Sequence, residues 1–491
     1  TRQHRPSVDR PSHSSSRPDV ALFGQAWRFS RILAEKILNL EAVIGLRGRP
    51  RAARRGIEGG APMDSAAGRP RSIRNAGNWA SWHAYWASAA VALVLALCVV
   101  RPAAADEGFK AWLAELWPEA QVFGVSRKTF DAAFRNVEPD LRLPDLVIPG
   151  RKQSPRGQAE FTRPPQAYIN SAQLARLAAA GRALQAEHAE TLREIERRFG
   201  VEGHAVLAIW GRETAFGAHQ LPHYAFRALA TQAYLGRRKE MFRNELLHAL
   251  KLVEEGSATF EQMRSSWAGA IGLPQVMPSE FHQFAYDLDG DGRKDIWTSI
   301  PDSLATIARQ LQAKGWVKGQ TWGYEVRLPP TVDCSLEGPA NARPLSEWIA
   351  MGVRRAFNRQ FPAHVRSEEA YLMAPGGAYG PVFLVLENYR VIRRYNMSDL
   401  YAVFVGNLAD RIAGGGDFET PWQNITQLST REVEEIQRLL KELGYAIGEV
   451  DGKIGSITRW QIGKYQKDNR LKVDCWPTKE LLQRLRAAAA P

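Results

Sequence analysis

Cysteine is scarce: 491 residues hold three, Cys98, Cys334 and Cys475. That excludes the disulfide framework that substitutes for a core in small secreted domains. Cys334 and Cys475 are expected in different domains, so two unpaired thiols are the reading, with one bridge between them as the alternative. Long apolar runs are missing too. The most hydrophobic stretch, Ala87 to Val100, falls short of the about 20 residues a membrane span needs, and Ser81, His83 and Ser88 dilute any longer window. Acid is sparse at the N-terminal end, where residues 1–105 carry 6 of the 52 Asp+Glu but 16 of the 65 Lys+Arg, so 10 of the net +13 charge lies there. The remainder is close to balanced, and no nucleic-acid partner is expected.

What is present begins with a leader. Arg69, Arg71 and Arg74 precede the apolar centre, and Ala103-Ala104-Ala105 precede Asp106. A basic region, an apolar region and a small-residue exit are the three parts of a secretory signal. Residues 63–105 are therefore expected to be a signal peptide beginning at Met63, with 1–62 a non-native upstream extension and Asp106 the first mature residue. The alternatives are an uncleaved anchor, or membrane association through a lipid on Cys98, against which bulky Leu97 stands.

From Asp106 onward apolar residues recur at three- and four-residue steps through "FKAWLAELWPEA", "SAQLARLAAAGRALQAEHAETLREIERRFG", "EGHAVLAIWGRE", "KEMFRNELLHALKLVEEG" and "DSLATIARQLQAKGW". "YEVRLP" and "VFLVLENYRVIRRY" read as strand-like. The fold class is thus mainly α, with some β. "GGGDFETPWQNITQLST" has linker composition, dividing a large unit, 106–415, from a tail, 428–487, across a linker at 416–427.

One acid stands out in "AIWGRETAFGAH". Glu213 ends an apolar helix between Gly211 and Gly217, with Trp210 and Phe216 as neighbours. Those rings would desolvate the carboxyl, raise its pKa and keep it protonated as a general acid near neutrality. Most glutamates are solvated surface groups, and the spacing permits an acid without proving one. No second carboxylate is near in sequence; the next are Glu240 and Glu245. Ordinary glycosidases pair two.

Taken in order, "WGRETAFG", "SSWAGAIGLPQVMPSEF", "DLDGDGRKDIW", "LQAKGWVKG" and "ENYRVIRRYNMSDLYAVFVGNLADRI" resemble the B-type lytic murein transglycosylases over roughly residues 106–415. The resemblance implies a lysozyme-like, α-rich fold around a glycan groove, with Glu213 as the sole catalytic carboxylate. It implies that Ser266, Gln275, Tyr389, Tyr395, Asn396 and, upstream, Tyr168 bind substrate. Gln310 and Val276 depart from the aromatic residues common in relatives, which touches outer sugar contacts rather than the chemistry. By themselves, "AGAIGLPQVMP" could be a tight packing turn and the tyrosines core aromatics. The implied reaction cleaves the β-1,4 bond between N-acetylmuramic acid and N-acetylglucosamine and leaves a 1,6-anhydro sugar. No catalytic cofactor is implied.

"DLDGDGRKDIWTSIPD" offers Asp287, Asp289, Asp291, the Arg293 carbonyl and Asp295 at EF-hand loop positions 1, 3, 5, 7 and 9, with Thr298 in place of the closing glutamate and Asp302 beyond it. A structural calcium ion is the reading, against a solvated acidic turn. His219 and His223 have a zinc-like interval, but Leu221-Pro222 breaks the helix it would need. The tail, with "LLKELGY", "VDGKIGSITRWQIGKYQ" and "LKVDCWPTKELLQRL", resembles the small three-helix peptidoglycan-binding domains, although Asn469-Arg470 and Cys475-Trp476 replace the usual glycine context. The resemblances imply peptidoglycan glycan strands as substrate; cell-wall synthesis or remodelling proteins as partners and a monomer are expected, and the signal peptide implies work in the periplasm. A hydrolytic muramidase and a non-cutting wall-bound scaffold are the other readings.

Overall fold

The computed structural model describes residues 107–148 and 163–490, so the leader, the expected signal peptide and the extension before it lie outside the described residues. Residues 107–122 are helical. The helices that follow are α1 (Arg127–Ala133), α2 (Pro165–Tyr168), α3 (Ser171–Glu187), α4 (Ala189–Phe199), α5 (Gly203–Thr214), α6 (Ala225–Leu235), α7 (Lys239–Glu254), α8 (Pro278–Phe284) and α9 (Ile300–Ala313). Next come α10 (Leu345–Ala350), α11 (Glu387–Tyr395), α12 (Asp399–Ile412), α13 (Thr430–Glu442), α14 (Ser456–Asp468) and α15 (Lys479–Ala488).

Residues 205–214 of α5 are all buried, as expected of a helix enclosed by others rather than lying on a surface. Its partners are α3, α4, α9 and α12, which together with Tyr389, Tyr395 and Phe383 make one hydrophobic core. A second core joins the N-terminal helical run and α1 to α6, α7 and α8. The segment 264–277 ties the two together. Trp267, Ala268, Ile271 and Val276 enter the second core, whereas Leu273 packs on the first.

Strands β1 (His223–Tyr224) and β2 (Arg264–Ser265) form a two-residue antiparallel pair at that segment. Strands β3 (Gly323–Arg327), β4 (Arg343–Pro344), β5 (Arg354–Arg355), β6 (Glu369–Met373) and β7 (Val382–Val385) make an antiparallel sheet in the order β4-β6-β7-β3-β5. Half of the strand-like reading of 382–395 is corrected here. The strand stops at Val385 and α11 starts at Glu387, because the Asn388 amide donates to the Val317 and Gln320 carbonyls and turns the chain.

Helices α13, α14 and α15 enclose a small core of their own around Ile436, Ile462 and Leu485. Residues 416–427 carry no helix or strand, yet they are tied down: the Glu419 and Thr420 amides donate to Glu325, and Trp422 packs on the first core. The expectation of two unpaired thiols is overturned. Cys334 and Cys475 are joined, with Cα atoms 6.1 Å apart across 141 residues of sequence. The reason is spatial: α14 seats itself on residues 334–336, and with Cys334 it brings the tail's Cys475 into the same buried cluster.

Candidate active site

The end of α5 is shaped by glycine. Ala215, Phe216 and Gly217 follow the helix with φ of 49°, 59° and 80°, a left-handed run that folds Phe216 back over the last turn. A Cβ on Gly211 would stand 2.5 Å from the Phe216 ring, so only glycine leaves room for it. The ring meets Trp210 edge-on at 5.5 Å. Glu213, one residue before the helix ends, is 4% exposed. Thr214 fastens the turn, donating to the Leu273 carbonyl at 3.1 Å and accepting from the Gly217 amide at 3.0 Å. The acid and the 264–277 segment are therefore held against each other.

The hydroxyl that faces the acid is Tyr401, which donates to Glu213 Oε1 at 2.6 Å. Tyr401 stands in the first turn of α12, where the Ser398 side chain caps the helix by accepting from the Tyr401 amide. Burial, and then the charge of Glu213, hold its hydroxyl well above the usual tyrosine range, so it remains a donor. Tyr395, from α11, donates to the Pro274 carbonyl at 3.0 Å, and its hydroxyl is likewise held high by burial and by the charges of Glu213 and Glu280. Beside Pro274, Gln275 takes φ of 56° and folds its Nε2 onto the Gly272 carbonyl at 2.8 Å, while its buried Oε1 has no partner. An unsatisfied acceptor on a left-handed residue is an unrelieved cost of the kind that ligand sites carry.

The other residues singled out in the sequence divide. Ser266 is fully buried and its hydroxyl accepts from the Ala270 amide at 3.2 Å, closing the glycine-rich turn. Asn396 accepts from the Ser398 amide and shapes the α11–α12 corner. Tyr389 points to Asp399, at 3.2 Å, and packs on Trp322. Tyr168 accepts from the Arg212 guanidinium, which lies 4.6 Å above its ring. The structure thus brings Glu213, Tyr395 and Gln275 together, has Ser266 and Asn396 bonded within the neighbouring turns, and places Tyr389 and Tyr168 in the first core. Tyr401 and Arg212 lay inside quoted motifs without being singled out. The signal available for Tyr401 was its place just after the helix cap in "SDLY".

Another acid sits close by. The charge of Glu280 reaches Tyr395, but its carboxylate takes the Gln310 amide at 2.7 Å and the Lys314 ammonium at 3.4 Å. Gln310 thereby gives its Nε2 to Glu280, while its buried Oε1 has no partner. Glu245 is further into the second core, where the Ser279 amide and hydroxyl donate to it.

In the acidic segment, carboxylate oxygens of Asp287, Asp289 and Asp302 lie within 4.8 Å of one another. Asp291 and Asp295 are outside that group. Asp291 accepts from the Arg293 amide, and Asp295 from Trp297, Thr298 and the Thr298 hydroxyl. Asp302 is buried and receives amides from Leu288 and Asp295, though burial still pushes its carboxyl up. Three hard oxygen donors converging on one point fit a calcium ion better than a softer metal.

Residues 108–410 match the family described as Transglycosylase SLT domain, and residues 429–485 match the peptidoglycan binding domain family. The chain is 27% identical over 228 residues to membrane-bound lytic murein transglycosylase B of Escherichia coli (strain K12), which covers 46% of this chain and 61% of that protein, less than two thirds of its length. It superposes on SltB3 from Pseudomonas aeruginosa in complex with NAG-anhNAM-pentapeptide with a TM-score of 0.71 and 41% identity, over 77% of this chain and 99% of that one. With the NAG-NAM-pentapeptide complex of SltB3 the TM-score is 0.70 and the identity 40%, over the same shares.

Proposed function

The chain belongs to the lytic transglycosylases of the SLT-domain family, and from that membership we propose that it cleaves the β-1,4 bond between N-acetylmuramic acid and N-acetylglucosamine in peptidoglycan, with Glu213 performing both proton transfers. The observation that carries this reading is the buried Glu213 carboxyl fixed by the Tyr401 hydroxyl at one oxygen. With Oε1 engaged, Oε2 gives its proton to the glycosidic oxygen as the bond to the muramoyl anomeric carbon breaks. The carboxylate so formed takes the proton of the muramoyl 6-hydroxyl, whose oxygen closes on that carbon. Glu213 ends protonated, and no water is consumed. The Gln275 Oε1, buried without a partner, is an acceptor for an N–H or O–H of the sugar at the cut. Tyr395 braces the segment that presents it.

The remaining parts serve this reaction. Calcium, held by Asp287, Asp289 and Asp302, would fix the acidic segment and supply no chemistry at Glu213. The units are 106–415 for catalysis and 428–487 for wall binding, and the chain acts in the periplasm after export. Among the described residues no helix is long and apolar enough to cross a membrane.

Glu213→Gln keeps shape and hydrogen-bonding reach but can neither give nor take the proton. On purified sacculi it should lose at least about 10²–10⁴ in rate while still sedimenting with the wall. Undiminished activity would remove Glu213 from the mechanism.

A further inference from the structure

Arg212, the residue before the acid, is 4% exposed. Among the described residues no carboxylate lies within ion-pair distance of it; its one hydrogen bond goes to the Tyr168 hydroxyl. Its charge is held by rings instead, 4.4 Å from the centroid of Phe404, 4.6 Å from Tyr168 and 5.9 Å from Tyr401. Burying a cation without a counter-ion costs far more than three ring faces return, since each cation–π contact gives about 0.5–2 kcal/mol. Packing alone would favour a leucine or methionine here. The ring that Arg212 shares with the site belongs to Tyr401, whose hydroxyl stands 2.6 Å from Glu213 Oε1.

We propose that Arg212 is a positioning residue: its caged and unopposed charge keeps the Tyr401 hydroxyl aimed at Glu213 and favours the carboxylate form of Glu213 that must take the second proton. A lone acid that works twice has conflicting needs. It must hold a proton to begin and be a stable anion between the two transfers. A fixed cation one residue away, lying against the Tyr401 ring, helps the second state without offering an ion pair that would keep the acid permanently ionised. Arg212 in turn opposes the upward push that burial and Glu213 exert on the Tyr401 hydroxyl, which makes that hydroxyl a stronger donor. Among the described residues, Tyr401 from α12 and Tyr395 from α11 are titratable groups that feel the charge of Glu213, and Arg212 lies on its own helix. The faces of α3 and α4 packed on α5 are apolar, through Leu174 and Ala178 and through Leu192 and Ile195. The acid on α9, Asp302, is turned to the amides of the acidic segment, and Asp410 on α12 accepts from Trp322.

This inference rests on the reading of Glu213 given above, and the tests separate the two. Wild type, Arg212→Met and Arg212→Lys are assayed for kcat and kcat/KM against pH on soluble glycan strands released from purified sacculi. Glu213 must start protonated, so the basic limb of kcat/KM reports its titration. Removing a nearby cation should move that limb to higher pH by about one to three units and lower kcat at least about tenfold with little change in KM. Arg212→Lys should hold the limb near its wild-type position. A folded Arg212→Met with the wild-type pH profile would overturn the inference, and would leave the role of Glu213 standing if Glu213→Gln is inactive. Should Arg212→Met fail to fold, Tyr401→Phe keeps the cage and cuts the hydroxyl link; the same alkaline shift is expected, and an unmoved limb would overturn the inference equally.

Discussion

Glu213 and Glu245 are both buried acids on helices, and their partners set them apart. Glu213 faces the Tyr401 hydroxyl at the surface of the 264–277 segment. Glu245 sits in the second core, where burial pushes its carboxyl up to about 7 against hydrogen bonds from Ser279, and the charge of Glu280 adds to the push. A raised carboxyl contributes stability that is fully present below its ordinary value near 4.5 and is lost as pH climbs through about 7. Glu245→Gln keeps an acceptor for the Ser279 amide and never ionises. Its melting temperature should therefore gain on the wild type steadily between pH 4.5 and 7, as followed by calorimetry; a gap that does not change with pH would show that Glu245 is not neutral in the native state. Glu213 draws attention in the sequence because Gly211 and Gly217 bracket it at a turn, and the structure buries it there. Tyr401 does not, because a tyrosine in an apolar helix reads as core until its partner 188 residues away is known.

Among elements, the acidic segment between α8 and α9 makes the sharpest test. Its spacing announced Asp287, Asp289, Asp291 and Asp295 with the Arg293 carbonyl as ligands and Asp302 beyond them; the fold gathers the carboxylates of Asp287, Asp289 and Asp302, the last from the first turn of α9. All of these aspartates accept amides of the segment, Asp287 from Gly290 and Gly292 among them, so the period shows the turn but not which carboxylates converge. Calcium at one hundred times its Kd should stabilise the wild type by about 2.7 kcal/mol. Asp287→Asn with Asp289→Asn should abolish that increment in a thermal melt, and an equal increment in the double variant would place the ion elsewhere. The helix α11 shows a different limit of the sequence. "VFLVLENYRVIRRY" is rich in β-branched and aromatic residues throughout, which reads as strand, but Asn388, Val391, Ile392 and Tyr395 recur at helical steps and form the buried face of α11, a change of period that composition hides.

For the whole molecule, the helical class was legible from periodicity and the three-helix tail from its resemblance to peptidoglycan-binding domains, whereas the joining of tail to body was not. Besides Cys334–Cys475, the buried Arg459 of α14 reaches Glu337 and also Asp399 at 3.0 Å, in the first turn of the helix that carries Tyr401. The tail is thereby a wall of the catalytic body. Replacing both cysteines by serine releases a constraint across 141 residues and should lower stability by about 2–5 kcal/mol, read from denaturant midpoints. Alkylation of the unreduced, denatured chain should leave Cys334 and Cys475 unlabelled, and labelling of both would return the two free thiols. The central claim is that one acid does the work of two, and it is tested most directly by the mass of the sugar ends released from sacculi by the wild type. Intramolecular closure predicts muramoyl ends that are all 1,6-anhydro, lighter by one water than hydrolysed ends; hydrated reducing ends as the primary product would contradict it and require a separate base to activate water.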